Sequence, residues 1–422
     1  MASPRKQRWI RGTHVTTAAA VAAAAALPAV ATLALADAID TSRPRTIVVG
    51  APRGFAPSER LDGRRTGRAR TRLPFPPREG WRRHISGGVE SPPVVDAQGS
   101  VLIALTVPEV VKLGPDGKEA WRVRIGANAP LAPAVLTSDG TLALVSSAGI
   151  AWGLTPSGAV RYATPLGIRG RDADLAPLAL DDGGLVLAAG RALVELAADG
   201  AVRARTELAD RATGAILAGP DGALITTESG DVLTWRPPGT PRKLGTFGGT
   251  PRRGAALADA RTLLAVVDGR RIVALDLLTG TTSARSSGIG LGSFDAPPAI
   301  DLAGLAVTTS FAGLLVGLDA AGDEKLRIAV DKPPPMISAD AGPGASGFFA
   351  AAESKPSPPV VLDRDGRIAF ARSNGRAGVV DAEGRVAVAG ERVCASPVAV
   401  VPAGEAKMLI ACRDGTLVMF EE

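Results

Sequence analysis

The chain has 422 residues, 46% of them hydrophobic and 21% charged, which is too apolar for disorder and long enough to bury a large core. Its 50 Gly and 33 Pro argue against a helical bundle and for many short strands, while two His and two Cys exclude a zinc-finger array, a multi-histidine metal site and a disulfide-dense mini-domain. The net charge of +6 arises entirely before residue 81, because residues 81–422 hold 34 basic and 37 acidic side chains; no basic excess is left for a folded nucleic-acid-binding face.

Residues 1–36 predict a signal peptide. Arg5, Lys6, Arg8 and Arg11 precede an Ala-rich apolar run from Val15 to Leu35, and Ala34-Leu35-Ala36 offers the small residues of a cleavage site. The alternative is an uncleaved membrane anchor, since the run approaches the ~20 residues that span a bilayer. No twin-Arg pair precedes the run, and no lipoprotein Cys follows it. Export to the periplasm or the extracellular space is therefore expected. Residues 37–80 form an Arg/Pro-rich linker and lead-in with ten Arg against five acids, a composition that reads as solvated chain.

From residue 81 the sequence repeats about every forty residues. Ser91 to Ile125 reads as three apolar strands and one more polar strand separated by Gly turns, and Ala132 to Leu166 reads the same way. The Gly of the third turn recurs at Gly117, Gly158, Gly200, Gly239, Gly280 and Gly322, at intervals of 41, 42, 39, 41 and 42. A hairpin at such a turn calls for φ > 0, which Gly adopts without strain. First strands start near Pro92, Pro133, Pro177, Gly214, Gly254, Pro297, Pro358 and Pro397. That makes eight starts, yet the eighth unit lacks a fourth strand. Trp81, Trp121 and Tyr162 lie 40 and 41 residues apart, so Trp81–Ile85 falls in fourth-strand register and is predicted to close the last sheet. The expected fold is all-β: an eight-bladed β-propeller of four-stranded antiparallel blades, closed by an N-terminal outer strand over residues 81–422.

The run Leu113-Gly-Pro-Asp-Gly-Lys-Glu-Ala-Trp121, the run Ala274-Leu-Asp-Leu-Leu-Thr-Gly280 and the lead-in Asp62-Gly-Arg-Arg-Thr-Gly67 resemble the pyrroloquinoline-quinone (PQQ)-type propeller repeat family. The resemblance covers residues 58–422. It implies either a quinone-dependent dehydrogenase or a member of the non-catalytic branch, which includes propellers that assist outer-membrane assembly. The dehydrogenases place the quinone beside adjacent cysteines, with Ca²⁺ on Glu and Asn oxygens. Here Cys394 and Cys412 are eighteen apart, and Asn128 and Asn374 show no ligand spacing.

No catalytic, cofactor-binding or metal-binding residue is therefore expected, and the protein is read as a non-enzyme without cofactor. His84, alone after leader removal, is read as a strand residue. Gly288-Ile-Gly290-Leu-Gly292 is read as a connector, and Asp363-Arg364-Asp365-Gly366 as a hairpin rather than a calcium loop. Cys394 and Cys412 are expected to pair across two adjacent strands of the last blade. The insertion 331–356 interrupts the repeat, and its Phe348 and Phe349 are candidate binding-loop residues. The functional reading is a secreted, monomeric interaction scaffold of the bacterial cell envelope with protein partners. It has no nucleic-acid partner and touches membrane only through an uncleaved leader. A ligand- or glycan-binding propeller and a degenerate quinoprotein are the alternatives.

Overall fold

The strands of blade 1, Val94–Val95, Val101–Ala104, Glu109–Leu113 and Glu119–Arg124, pair in that order as an antiparallel sheet. Six further blades repeat the pattern, and together with the eighth they form a ring in the computed structural model. It describes residues 47–49, 53–168, 175–251, 254–286, 294, 296–310, 312–331 and 357–422. Second strands such as Val101–Ala104 and Leu142–Val145 are buried throughout, because neighbouring blades cover both faces and favour apolar side chains. Outer strands such as Glu119–Arg124 have water on one side and carry the charge.

The eighth blade draws on both ends of the chain. Its order is Arg78–His84, Thr416–Glu421, Lys407–Cys412, Pro397–Gly404, with Trp81 opposite Met419 and His84 opposite Thr416. The closing strand thus begins three residues before Trp81 and bulges at Gly80. Ile85 lies just beyond it, buried, and donates its N–H to Gly415 O at 3.0 Å. The largest apolar cluster spans this seam, joining residues of blades 7, 8 and 1 to Leu61 and Leu73 of the lead-in.

Blades also interlock through their outer strands. Trp81 Nε1 donates to Pro115 O at 3.0 Å, and the indole lies where a Cβ on Gly117 would sit 2.8 Å away. Trp121 repeats this against Pro156 O and Gly158. The Tyr162 ring occupies the same place over Gly200. The aromatic of one blade therefore packs on the third-turn Gly of the next. Gly239 departs from its predicted role, since φ is not positive there. Pro237 and Pro238, which fix φ near −65°, supply the blade 4 turn instead, and Gly239 O accepts from Trp235 Nε1 at 2.7 Å.

Within the described part of residues 37–80, the backbone of residues 56–73 departs from the reading as solvated chain, although the side chains of Arg53, Arg64, Arg70 and Arg78 are exposed. Residues 56–73 run inside the ring, in the same rotational sense as the blades. Ala56 exchanges both backbone bonds with Val95 of blade 1. The carbonyls of Pro57, Gly63, Arg64, Thr66 and Gly67 then accept from the N–H groups of Leu136, Ala218, Leu257, Ile300 and Leu362, in blades 2, 4, 5, 6 and 7, at 2.6–3.0 Å. Val48 O takes the Asp181 N–H of blade 3, and Arg72 O takes the Ala406 N–H of blade 8. In blade 7 the predicted hairpin at Asp363 grips the end of the segment: Asp363 Oδ2 accepts from Leu73 N at 2.8 Å, and Arg367 donates back to Leu73 O.

The motif Asp62 to Gly67 makes the tight turn at the centre. Asp62 accepts from the N–H and hydroxyl of Thr66. The Arg65 side chain, 1% exposed, donates to Glu59 O (2.7 Å), Pro177 O (2.7 Å) and Ile216 O (3.1 Å). Burial lowers its pKa, with Glu59 and Asp62 opposing. Three backbone carbonyls, rather than a carboxylate, surround the charge, which ties blades 3 and 4 to the lead-in. Arg65→Ala strands these acceptors and opens a cavity, so it should cost about 3 kcal/mol of unfolding free energy. Urea unfolding checks this, and a midpoint equal to that of the unaltered protein would refute the role given to Arg65.

Candidate functional site

The lead-in fills the channel only in part. Where the first strands begin, a cavity of about 430 Å³ remains open at the channel mouth. Its walls come from the residues that start successive blades, including Pro92, Pro133, Pro297, Pro358 and Pro397. These prolines mark strand starts in the sequence; in the structure they form an apolar collar without N–H donors.

Four charged residues converge on this cavity: Glu59 and Arg60 from the lead-in, Glu90 before blade 1, and Arg413 from blade 8. Arg413 Nη1 forms an ion pair with Glu90. Arg60 is half-buried and reaches Pro298 O through Nη2, while its Nε and Nη1 are sealed from solvent without an acceptor. Desolvation lowers its pKa to about 10, with Glu59 and Asp62 pulling upward, so the group stays cationic at neutral pH. Arg60 and Leu61 have φ of 57° and 74°. Two consecutive non-glycine residues in the left-handed region are strained. Bonds from the N–H groups of Asp62 and Gly67 to Arg60 O hold that conformation.

The candidates from sequence are distributed differently. Trp81 and Ile85 serve the seam. His84 is exposed on the closing strand. Residues 1–46, the Gly288–Gly292 connector, Phe348 and Phe349 lie outside the described residues. Among the described residues no three His, Cys, Asp or Glu are grouped so as to hold a metal, and no helix is long and apolar enough to cross a membrane. Glu59, Arg60, Glu90 and Arg413 escaped notice because they come from three separate stretches of the chain. The one local signal was the lead-in motif just after Arg60.

Cys394 and Cys412 are joined by a disulfide with Cα atoms 6.3 Å apart, but they are not directly opposite as expected. The hairpin turns at Glu405–Ala406, later than the predicted position near residue 403, and bulges, so Cys412 faces Pro397. Cys394 lies before the strand. The bond fixes the chain beside Ser396 and Arg413, both lining the mouth.

No family model and no curated protein matches the chain, so the PQQ-type resemblance has no support from a family match. Solved structures do match. The computationally designed Ika8 protein superposes with a TM-score of 0.62 at 11% identity, over 81% of this chain and 98% of that one. BamB from Moraxella catarrhalis gives 0.43 at 13% identity, over 78% and 80%. Virginiamycin B lyase from Staphylococcus aureus gives 0.49 at 10% identity, over 69% and 94%. At these identities the likeness concerns the fold alone, and the latter two scores carry no further argument.

The disulfide closes a loop of 18 residues, for which chain entropy gives about 3 kcal/mol at most. Reduction should lower stability to denaturant by about 2–3 kcal/mol. Alkylation of the unreduced, denatured protein should label no cysteine, and two labels per chain would contradict the bond.

Proposed function

We propose that the protein is an exported, non-catalytic binding propeller that receives a small ligand in the channel mouth. The observation that carries this reading is the convergence of Glu59, Arg60, Glu90 and Arg413 on the cavity above the lead-in. A scaffold would instead present a continuous apolar or charged groove on the rim. The large apolar side chains most exposed among the described residues, Leu278 and Leu302, belong to separate turns of blades 5 and 6. The channel reading therefore moves ahead of the scaffold reading that the family resemblance favoured.

Export is supported by the leader-like N-terminus and by a disulfide that suits an oxidising compartment. Kinship to the non-catalytic PQQ-type propellers is supported by the Trp121 and Gly158 docking, which involves the residue types that carry the resemblance. Reading the protein as a non-enzyme rests on its residue inventory, with His84 the one imidazole after the leader.

The envelope-scaffold reading keeps one observation of its own. The outer strand of blade 7, Val386–Gly390, reads VAVAG, whereas the outer strands of the other blades all carry Arg, Lys or Glu. An uncharged edge lacks the usual guard against pairing, and a partner strand could add to it.

A thermal-shift screen of amino acids, sugars, carboxylic acids and nucleotides separates the two readings. On the channel reading at least one class raises the melting temperature of the protein, and Ala215→Trp, which fills the mouth, abolishes that rise. Saturating ligand at a hundred times Kd stabilises by about 2.7 kcal/mol, well above detection. No shift from any class would overturn the channel reading.

A further inference from the structure

Resting on the channel reading, we infer that the mouth is built for a zwitterion, an amino acid or short peptide whose carboxylate meets Arg60 and whose ammonium meets Glu59. The argument begins with which charges already have partners. Glu90 and Arg413 neutralise each other across the wall. Arg60 and Glu59 remain. Arg60 offers five N–H donors and makes one hydrogen bond, to the carbonyl of Pro298, leaving Nε and Nη1 without an acceptor. Glu59 lines the same cavity, and its carboxylate accepts no hydrogen bond from the described residues, although its backbone carbonyl is occupied by Arg65. A desolvated guanidinium with idle donors is costly; a rotation of the Arg60 side chain that uncovers Nε and Nη1 toward the cavity would relieve that cost by presenting its planar fork to a carboxylate.

A purely anionic ligand would meet Glu59 as well as Arg60, and a purely cationic one would meet Arg60 as well as Glu59. A molecule bearing both signs satisfies both unmatched groups at once. The left-handed backbone at Arg60 and Leu61 supports a functional purpose, since strain at successive non-glycine residues concentrates where a side chain must be aimed. The volume of about 430 Å³ falls within the range of small-ligand pockets and suits a dipeptide better than a bare inorganic anion. The proline collar contributes apolar walls against which aliphatic side chains can pack.

Calorimetric titration of the full chain with three probes tests this assignment: L-alanyl-L-alanine, its C-terminal amide and its N-acetyl form. The unaltered protein should bind the zwitterion about tenfold or more tighter than either single-charge form. Arg60→Met should bring the zwitterion down to the level of the amide while leaving the amide unchanged. Glu59→Gln should bring it down to the level of the N-acetyl form while leaving that form unchanged. Equal affinity for all three probes, or binding of none, overturns the assignment. Comparing probes on the unaltered protein keeps the test decisive even if a variant folds poorly. A neutral ligand from the screen that is lost on Ala215→Trp, alongside a silent dipeptide series, would leave the channel site standing and remove only its charge assignment.

Discussion

A ring of eight sheets leaves eight inner strands with one edge each and no neighbour strand to pair with it. Backbone groups on such an edge must find partners or stay wet. The molecule resolves this with its own lead-in, which lends a carbonyl to every blade as it circles the channel. In six blades the donor is the same repeat position: Val95, Leu136, Ala218, Leu257, Ile300 and Leu362. Each first strand can consequently be short, with two paired residues in blades 1, 2, 3, 6 and 7.

The same N-terminal stretch acts twice. Residues 56–73 occupy part of the channel, and Arg78–His84 completes the eighth blade on the outside. Axis and rim are tied by a few residues of chain, so opening the seam at blade 8 strains the lead-in, and withdrawing the lead-in exposes the inner edges. The seam is reinforced by the largest apolar cluster and by the disulfide that lies within it. Trp81 at the seam, and Trp121 and Tyr162 beyond it, each pack on the turn Gly of the next blade and so restrain the angle between blades. The mouth inherits its rigidity from all three devices, because Arg60 is set by the lead-in and Arg413 by the seam.

Much of the fold was legible because repetition writes the same physical demand several times. The third-turn Gly recurs because a hairpin needs φ > 0, and the Trp81, Trp121 and Tyr162 spacing recurs because each ring needs a Gly to lie on. That spacing alone located the closing strand. The lead-in was illegible for an equally physical reason. Arg65 is held by three backbone carbonyls, and carbonyls leave no trace in a sequence, so Arg65 was indistinguishable from exposed neighbours such as Arg64 and Arg70. The register of the last hairpin depended on bulges that shift Cys394 off Cys412 by three residues. The site was hidden because Arg60 and Arg413 lie 353 residues apart and meet only after the ring closes.

Hydrogen exchange at the inner strands measures the central claim directly. If the lead-in satisfies the inner edges, the amides of Val95, Leu136, Ala218, Leu257, Ile300 and Leu362 should exchange as slowly as those of fully buried second strands such as Leu142–Val145. Rapid exchange at these six positions, at the rate of exposed turn amides, would show that their partner is water and would contradict the account.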